Sequence, residues 1–325
     1  MHSFNYRMVA LLILSAILAA CQSPATEPRS VEKYRAAYIA NIQIRWEIYD
    51  MELRLTRMCM EDAGFAVHPA ELTSNNPNRR ETEFNPLVPE FTAVPDRDTA
   101  YAVGYGDWLT RQYLLDEEPV PFEDLSSQDQ QDYYQALQGP DDETPTASAE
   151  LHSGRVVEWW VGDGCRARAQ DALLGDAYEY LAHWSASIGV AADQAIFNDH
   201  RIRTAEQDWS ACMAAEGHPD LISPRSAFLR AAMRESDYIP PMGTDEATRQ
   251  AGIEEWEQFQ TELAIADYEC QERFDLYRIY DEVFWELRID AMSIDEHLAF
   301  SFHEKAEQIL EHGQTMIATG ELTTP

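Results

Sequence analysis

The fold is indicated first by residues 262–298, which read ELAIADYECQERFDLYRIYDEVFWELRIDAMSIDEHL. Apolar side chains recur there at intervals of three and four residues, the spacing of an amphipathic helix. The apolar positions are Leu263, Ala266, Cys270, Tyr277, Tyr280, Phe284, Leu287, Ala291, Ile294 and Leu298. Because no proline occurs between residues 244 and 311, the pattern predicts one very long helix or two. Ser293-Ile294-Asp295-Glu296 matches a capping box, so we expect a break near residue 292.

Helical spacing also runs through residues 31–63, which contain neither proline nor glycine. Shorter helices are predicted over residues 127–138, 164–187 and 190–216. In contrast, seven prolines between residues 65 and 121 predict irregular chain, and residues 141–145 predict an exposed acidic loop. The sequence therefore predicts a mainly α fold, with long helices in two halves and an irregular, proline-rich connecting region.

Two segments of the chain repeat the pattern Cys-Met-x-x-x-Gly, at residues 59–64 and 212–217, and each is followed by a His-Pro pair. The glycine follows the cysteine by five residues in both copies. This spacing predicts a helix whose last turn carries the cysteine and whose end is closed by a left-handed glycine. The chain therefore reads as two diverged halves, residues 31–187 and 188–325.

Four cysteines besides Cys21 are available for pairing, and four cysteines allow three disulfide connectivities. The duplication favours Cys59 with Cys165 and Cys212 with Cys270, one disulfide in each half. The alternative of a four-cysteine metal site lacks the usual Cys-x-x-Cys pair.

The amino terminus resembles an export signal. Arg7 precedes an apolar run that ends in Leu-Ala-Ala followed by Cys21. The apolar core, residues 8–20, is shorter than the roughly 20 residues needed to span a bilayer as a helix. The tetrapeptide resembles a bacterial lipobox, so we expect residues 1–20 to be a lipoprotein signal peptide and Cys21 to carry the lipid. A simple secretory signal with a chance cysteine is the alternative.

Lipidation of Cys21 would give a stable anchor, because two or three acyl chains such as palmitate bury far more methylene than a single chain does. The predicted location is the extracytoplasmic face of the cell membrane. Residues 21–30 form a polar tether with two prolines, and residues 22–30 reach about 30 Å when fully extended. The folded body is therefore expected to stay close to the membrane.

The charge of the chain limits its partners. Formal net charge is −34, and Lys33 and Lys305 are the only lysines. Nucleic-acid binding depends on Lys and Arg neutralising phosphates, so no nucleic-acid partner is predicted. Anionic lipid head groups are expected to repel the body, which leaves the acyl group as the main attachment and a cell-envelope component as the possible partner.

The order of several short motifs resembles a family of exported lipoproteins from high-GC Gram-positive bacteria, over most of the mature chain. The motifs are the lipobox, the segments 59–64 and 212–217, Tyr105-Gly106, residues 134–139 (YQALQG), Gly164-Cys165, Leu174-Gly175, Trp209-x-x-Cys212 and Ala266-Asp267-x-x-Cys270. The resemblance implies an architecture and a location in the cell envelope. It implies no activity.

The sequence contains no nucleophile elbow, phosphate-binding loop or dinucleotide-binding motif, and no catalytic residue, metal site or cofactor is predicted. Tyr101, Tyr105 and Trp108 are a candidate aromatic platform for a glycan or peptidoglycan, with core packing as the alternative. Two sets of residues could hold a metal ion, and a solvated polar surface is the alternative for each. Their residues are His297, His303, Asp295, Glu296, Glu304 and Glu307 for the first, and Asp96, Asp98 and Asp107 for the second.

The sequence thus predicts a non-catalytic binding or envelope-interaction lipoprotein. A binding module would expose its aromatic residues as a groove within residues 65–160. An extracytoplasmic hydrolase with an unrecognised site, the alternative, would show a deep pocket with converging carboxylates or histidines. A purely structural envelope component would show neither.

Overall fold

The computed structural model describes residues 30–69, 72, 87, 91–106, 122–139, 146–151, 156–240 and 244–322. The helices are α1 (Val31–Asp62), α2 (Arg97–Ala102), α3 (Ser127–Gln138), α4 (Cys165–Leu174), α5 (Ala177–Ser187), α6 (Asp193–Asn198), α7 (His200–Ala215), α8 (Pro224–Met233), α9 (Glu235–Tyr238), α10 (Glu246–Arg273), α11 (Leu276–Met292) and α12 (Glu296–Thr319), with a 3-10 turn at Val190–Ala192 before α6. The predicted mainly α class is confirmed. Two strands, β1 (Thr146–Glu150) and β2 (Val156–Trp160), form an antiparallel hairpin that the sequence did not predict.

The two Cys-Met-x-x-x-Gly segments end their helices in the same way. Gly64 after α1 has a φ of +97°, and Gly217 after α7 has a φ of +98°. The backbone hydrogen bonds run from Gly64 N to Glu61 O (2.9 Å), Phe65 N to Met60 O (3.0 Å), Gly217 N to Ala214 O (3.3 Å) and His218 N to Met213 O (2.8 Å). This pair of bonds defines a Schellman motif, so the predicted helix ends are confirmed in both copies.

The predicted disulfides are present. Cys59 in the last turn of α1 pairs with Cys165, the first residue of α4, with 5.6 Å between the Cα atoms. Cys212 in the last turn of α7 pairs with Cys270 near the end of α10, with a Cα distance of 5.8 Å. Each disulfide therefore joins the end of one helix that closes on a left-handed glycine to a second helix.

The region 244–311 forms parts of three helices, where one or two were expected. The break at residues 293–295 is confirmed, but the capping box is wrong: the Ser293 hydroxyl donates to the carbonyl of Asp290 and gives α12 no side-chain cap. A second break falls between α10 and α11, where Asp275 has a φ of +53°. Among the described residues other than glycine, Asp275 alone has a positive φ.

Two other predicted helices are also interrupted. The segment 164–187 divides at Gly175, whose φ of +67° ends α4. The segment 190–216 divides at Asp199, whose carboxylate accepts the backbone N–H of Arg201 at 2.8 Å and so caps α7. Side chains that cap the next helix compete with continuation of the previous one.

The first described helix, α1, packs along the last, α12. Their contact is close because Gly313 has no side chain: a Cβ there would lie 2.6 Å from Cγ of Met51. Asn41 of α1 is buried and its amide donates to the carbonyls of Ser187 (3.4 Å) and Ala299 (3.0 Å). Two of the hydrophobic cores each contain residues from both halves, 31–187 and 188–325. The sequence duplication therefore does not give each half a separate core.

A second group of helices surrounds Trp209, with α7, α10 and α11 packed on one another and α8 packed on α10. The Trp256 indole of α10 donates to the Ala231 carbonyl of α8 at 3.2 Å. In the part of the chain that the structure describes, no helix has the length and apolar character needed to cross a membrane.

Candidate functional site

A groove of about 360 Å³ lies between α7 and α11. Its floor is apolar: Ala205 and Val283 are buried, and Phe274 and Ile279 are half-buried. Ligand pockets in proteins are concave, mainly apolar and about 300–1,000 Å³ in volume. The groove therefore has the size and the floor of a small ligand site.

Charged side chains form the rim of the groove, and its arginines are paired with neighbouring carboxylates. Arg201 donates to Asp199 at 2.9 Å and to Glu286 at 2.6 Å. Hydrogen bonding to the Arg201 side chain lowers the pKa of Asp199 to about 2. On the other side, Arg278 pairs with Asp275 and, at 2.6 Å, with Glu282. These pairs hold charge of both signs around an apolar floor, so the groove suits a ligand with an apolar body and a polar end.

A buried polar cluster joins α7 to α10 and is centred on Asp267 of α10. The Asp267 carboxylate accepts the Tyr105 hydroxyl at 2.7 Å, the Gln271 amide at 2.8 Å and the Trp209 indole at 3.0 Å. The Gln271 amide also donates to the Thr92 hydroxyl at 3.0 Å. Burial raises the pKa of Asp267 to about 6, although the three hydrogen bonds act to lower it.

The cluster and the second disulfide fix α7, one wall of the groove, against α10. Trp209 lies one helical turn before Cys212, and Asp267 lies one turn before Cys270. The Trp209–Asp267 hydrogen bond and the disulfide therefore join α7 to α10 at two successive turns. Between α7 and α11, the Tyr280 hydroxyl donates to Glu206 at 3.0 Å, and burial raises the pKa of this glutamate. The walls of the groove are thus held in place before any ligand binds.

Tyr105 was a candidate member of an exposed aromatic platform, and this expectation is wrong because the side chain is buried. Its ring is fully buried, its hydroxyl donates to Asp267, and its ring packs on Phe228 at 5.9 Å between centroids. Core packing is therefore the role of Tyr105. Tyr101 is exposed, its hydroxyl donates to Glu269, and this bond raises its pKa. Trp108 lies outside the described residues, as does Cys21 with the predicted signal peptide and most of the tether.

The two metal hypotheses receive no support from the geometry. Among the residues that the structure describes, no group of three His, Cys, Asp or Glu side chains is placed to hold a metal ion. Asp96 caps α2 by accepting the Thr99 backbone N–H at 2.8 Å. His303 lies 3.7 Å from Glu307 on the same helix, and Asp107 lies outside the described residues.

Comparison with known proteins does not assign the groove. No protein-family model, no curated protein and no solved structure matches the chain. The likeness to exported lipoproteins therefore rests on the sequence motifs alone.

The first half contains its own buried polar group beside the first disulfide. His68, which follows α1, is buried and its Nδ1 lies 2.9 Å from the Tyr133 hydroxyl. Burial lowers the pKa of His68, against the opposing effect of nearby Glu61. Phe65 and Phe122 pack edge-on against the Tyr133 ring. This group packs with the first disulfide at the end of α1.

Sequence reasoning missed the groove itself. The groove between α7 and α11 lies in the second half of the chain, whereas the sequence places the groove of a binding module within residues 65–160, a range that the structure describes only in part. Residues 274–283 were read as a buried helical stripe, without the break at Asp275 that begins α11. The available signal was the pair of motifs Trp209-x-x-Cys212 and Asp267-x-x-Cys270, since their polar members prove to be bonded to each other.

Proposed function

We propose that the chain is a membrane-anchored extracytoplasmic lipoprotein with a non-catalytic binding role, and that the groove between α7 and α11 is its binding site. The observation that carries the proposal is an apolar groove whose two walls, α7 and α11, are joined by the Tyr280–Glu206 hydrogen bond and the Arg201–Glu286 ion pair, while a disulfide fixes α7 to α10. A preorganised site loses less freedom on binding, and so it gains affinity. The disulfides also suit an oxidising compartment outside the cytoplasm.

The chemistry of the groove favours a small amphipathic ligand. An aromatic or aliphatic body would displace water from the floor at Ala205, Ile279 and Val283, while a polar end would meet the charged rim. Because the floor of the groove is apolar, we favour binding over the alternative of an extracytoplasmic hydrolase, in which a nucleophile or a general base must face the space that the substrate occupies.

The proposed binding site can be tested by a substitution that fills the groove with a large side chain. Thr204 is exposed and lines the groove, so Thr204→Trp should occupy the space without disturbing the core. Arg203 is the exposed neighbour that does not line it, and Arg203→Trp is the matched control. Detergent-solubilised protein would be purified in all three forms, and co-purifying molecules identified by mass spectrometry. We expect one molecule to accompany the wild type and the control and to be lost with Thr204→Trp; equal recovery from all three would refute the site.

The anchor is tested separately by the intact mass of the mature protein. We expect an amino terminus that begins at Cys21 and carries acyl chains, and we expect Cys21→Ser to abolish membrane retention. A mature amino terminus without acylated cysteine would contradict the anchor and leave the groove hypothesis standing.

A further inference from the structure

Helix α8 is apolar on two opposite faces. Its inner face packs on α10 through Ala227 and Ala231, both fully buried. Its outer face carries Leu229, which is 44% exposed, and Met233, which is 78% exposed. Ile222, just before the helix, is 73% exposed. The outer apolar residues therefore contribute little to the core of the fold.

The exposed residues form a row. Arg225, Leu229 and Met233 follow one another at intervals of four within α8, which places them along one side of the helix, and Ile222 lies two residues before the helix begins. We call this row the outer face of α8. Contiguous exposed apolar side chains rimmed by polar residues mark surfaces that meet a protein partner or a membrane.

The charge around the outer face is opposite to that of the chain. Between Asp220 and Glu235 there are three arginines and no acidic residue, in a chain of formal net charge −34. Arg234 lies 3.2 Å from Asp237 and its charge is shared. The Arg230 guanidinium is near enough to His218 to help lower the pKa of that histidine, although burial is the larger cause. Arg225 lies within the row itself.

We propose that the outer face of α8 rests on the anionic surface of the membrane that anchors the protein. Helices that lie in a membrane interface combine an exposed apolar row with arginine or lysine, and each basic residue near an anionic surface contributes about 1 kcal/mol. Acidic residues elsewhere on the body are screened, because the Debye length is about 8 Å at physiological ionic strength. The repulsion expected from net charge alone is thereby overcome locally.

This proposal rests on the proposed lipid anchor. A tether of residues 22–30 keeps the body within about 30 Å of the bilayer, which raises the effective concentration of α8 at the surface. A contact too weak to recruit a free protein is then sufficient to orient a tethered one. Contact through the outer face of α8 would fix the orientation of the body on the membrane. That orientation would determine from which side a ligand reaches the groove.

The test uses the complete mature lipoprotein, reconstituted into vesicles of phosphatidylcholine alone or of phosphatidylcholine mixed equally with phosphatidylglycerol. Hydrogen–deuterium exchange would be followed in the peptide covering residues 221–234. We expect slower exchange on the anionic vesicles than on the neutral ones. Replacing Arg225 or Arg230 by Gln should each reduce the added protection about fivefold.

Matched variants separate contact from folding. Ile222→Ser with Met233→Ser should abolish the added protection, because both side chains are exposed and would lose their contact with lipid. Val156→Ser with Ile294→Ser is the control, since those residues are 57% and 76% exposed elsewhere on the chain. Equal exchange on both vesicle types, by protein that floats with them, would overturn the proposal. Protein that does not float with either vesicle would instead show that the anchor has failed.

Discussion

Asp267→Asn should remove a pH dependence from the stability of the protein. The carboxyl of Asp267 is fully buried, and burial raises its pKa from 3.8 to about 6. A rise of about two pKa units corresponds to roughly 3 kcal/mol between the two protonation states. Because the folded state holds this proton more tightly than the unfolded chain, the wild-type free energy of unfolding falls as the pH rises from about 4 to about 6.

Asparagine can keep two of the three hydrogen bonds and reverse the direction of the third. Its oxygen can accept from Trp209 and Gln271, which both donate to one carboxylate oxygen, and its amide can donate to the Tyr105 hydroxyl oxygen. The variant should therefore lack the decline between about pH 4 and pH 6, so its stability relative to the wild type should rise by about 3 kcal/mol across that range. Other titrating groups, including Glu206, are present in both proteins and cancel in the difference.

The measurement is urea unfolding with both disulfides intact, followed by far-ultraviolet circular dichroism at a series of pH values. Asp208→Asn removes one exposed carboxylate from α7 and controls for the change in net charge. Parallel stability profiles for the wild type and Asp267→Asn would refute the assignment of a charged, buried carboxylate to this cluster. A stability difference, Asp267→Asn minus wild type, that falls with rising pH would refute its sign.

Three further results are expected when the equilibrium unfolding of variants is compared with that of the wild type. Replacing both cysteines of either disulfide by serine should cost about 4–5 kcal/mol, since the bridged residues are 106 and 58 positions apart; a loss below about 1 kcal/mol would contradict the chain-entropy reasoning. Gly64→Ala and Gly217→Ala should each cost about 1 kcal/mol, because a Cβ meets nothing there and only the positive φ opposes it; unequal costs would count against equivalent helix ends. Asn41→Leu should cost about 1–3 kcal/mol by leaving two buried carbonyls without their donor, and an unchanged stability would show that those carbonyls have other partners.

Local signals in the sequence predicted the parts of the fold that local chemistry controls. Helix α3 occupies the predicted residues because the Ser126 hydroxyl accepts a backbone N–H at its start and Gly139 ends it. The two Schellman glycines and the disulfide pairing followed from the repeated spacing of Cys and Gly. In each case, a few neighbouring residues determine the backbone conformation.

Tertiary packing decided what the sequence did not reveal. Asp275 adopts a left-handed conformation without glycine or proline nearby, so nothing in the local pattern marks the break between α10 and α11. Ser293 has the spacing of a capping residue but ends α11. The groove floor is made of residues such as Ile279 and Val283, which look like ordinary core in a helical pattern. Whether such a side chain is covered depends on which helix lies opposite, and that information is spread along the whole chain.

The pairing of α1 with α12 has a consequence for biosynthesis. Helix α1 needs Phe302, Ala306 and Met316 to cover Ile48 and Met51, and those residues leave the ribosome more than two hundred positions later. Long-range contacts of this kind slow folding, because the chain must first close a large loop. A nascent chain with this arrangement therefore leaves the buried face of α1 without its partner until the last residues of the chain have been made.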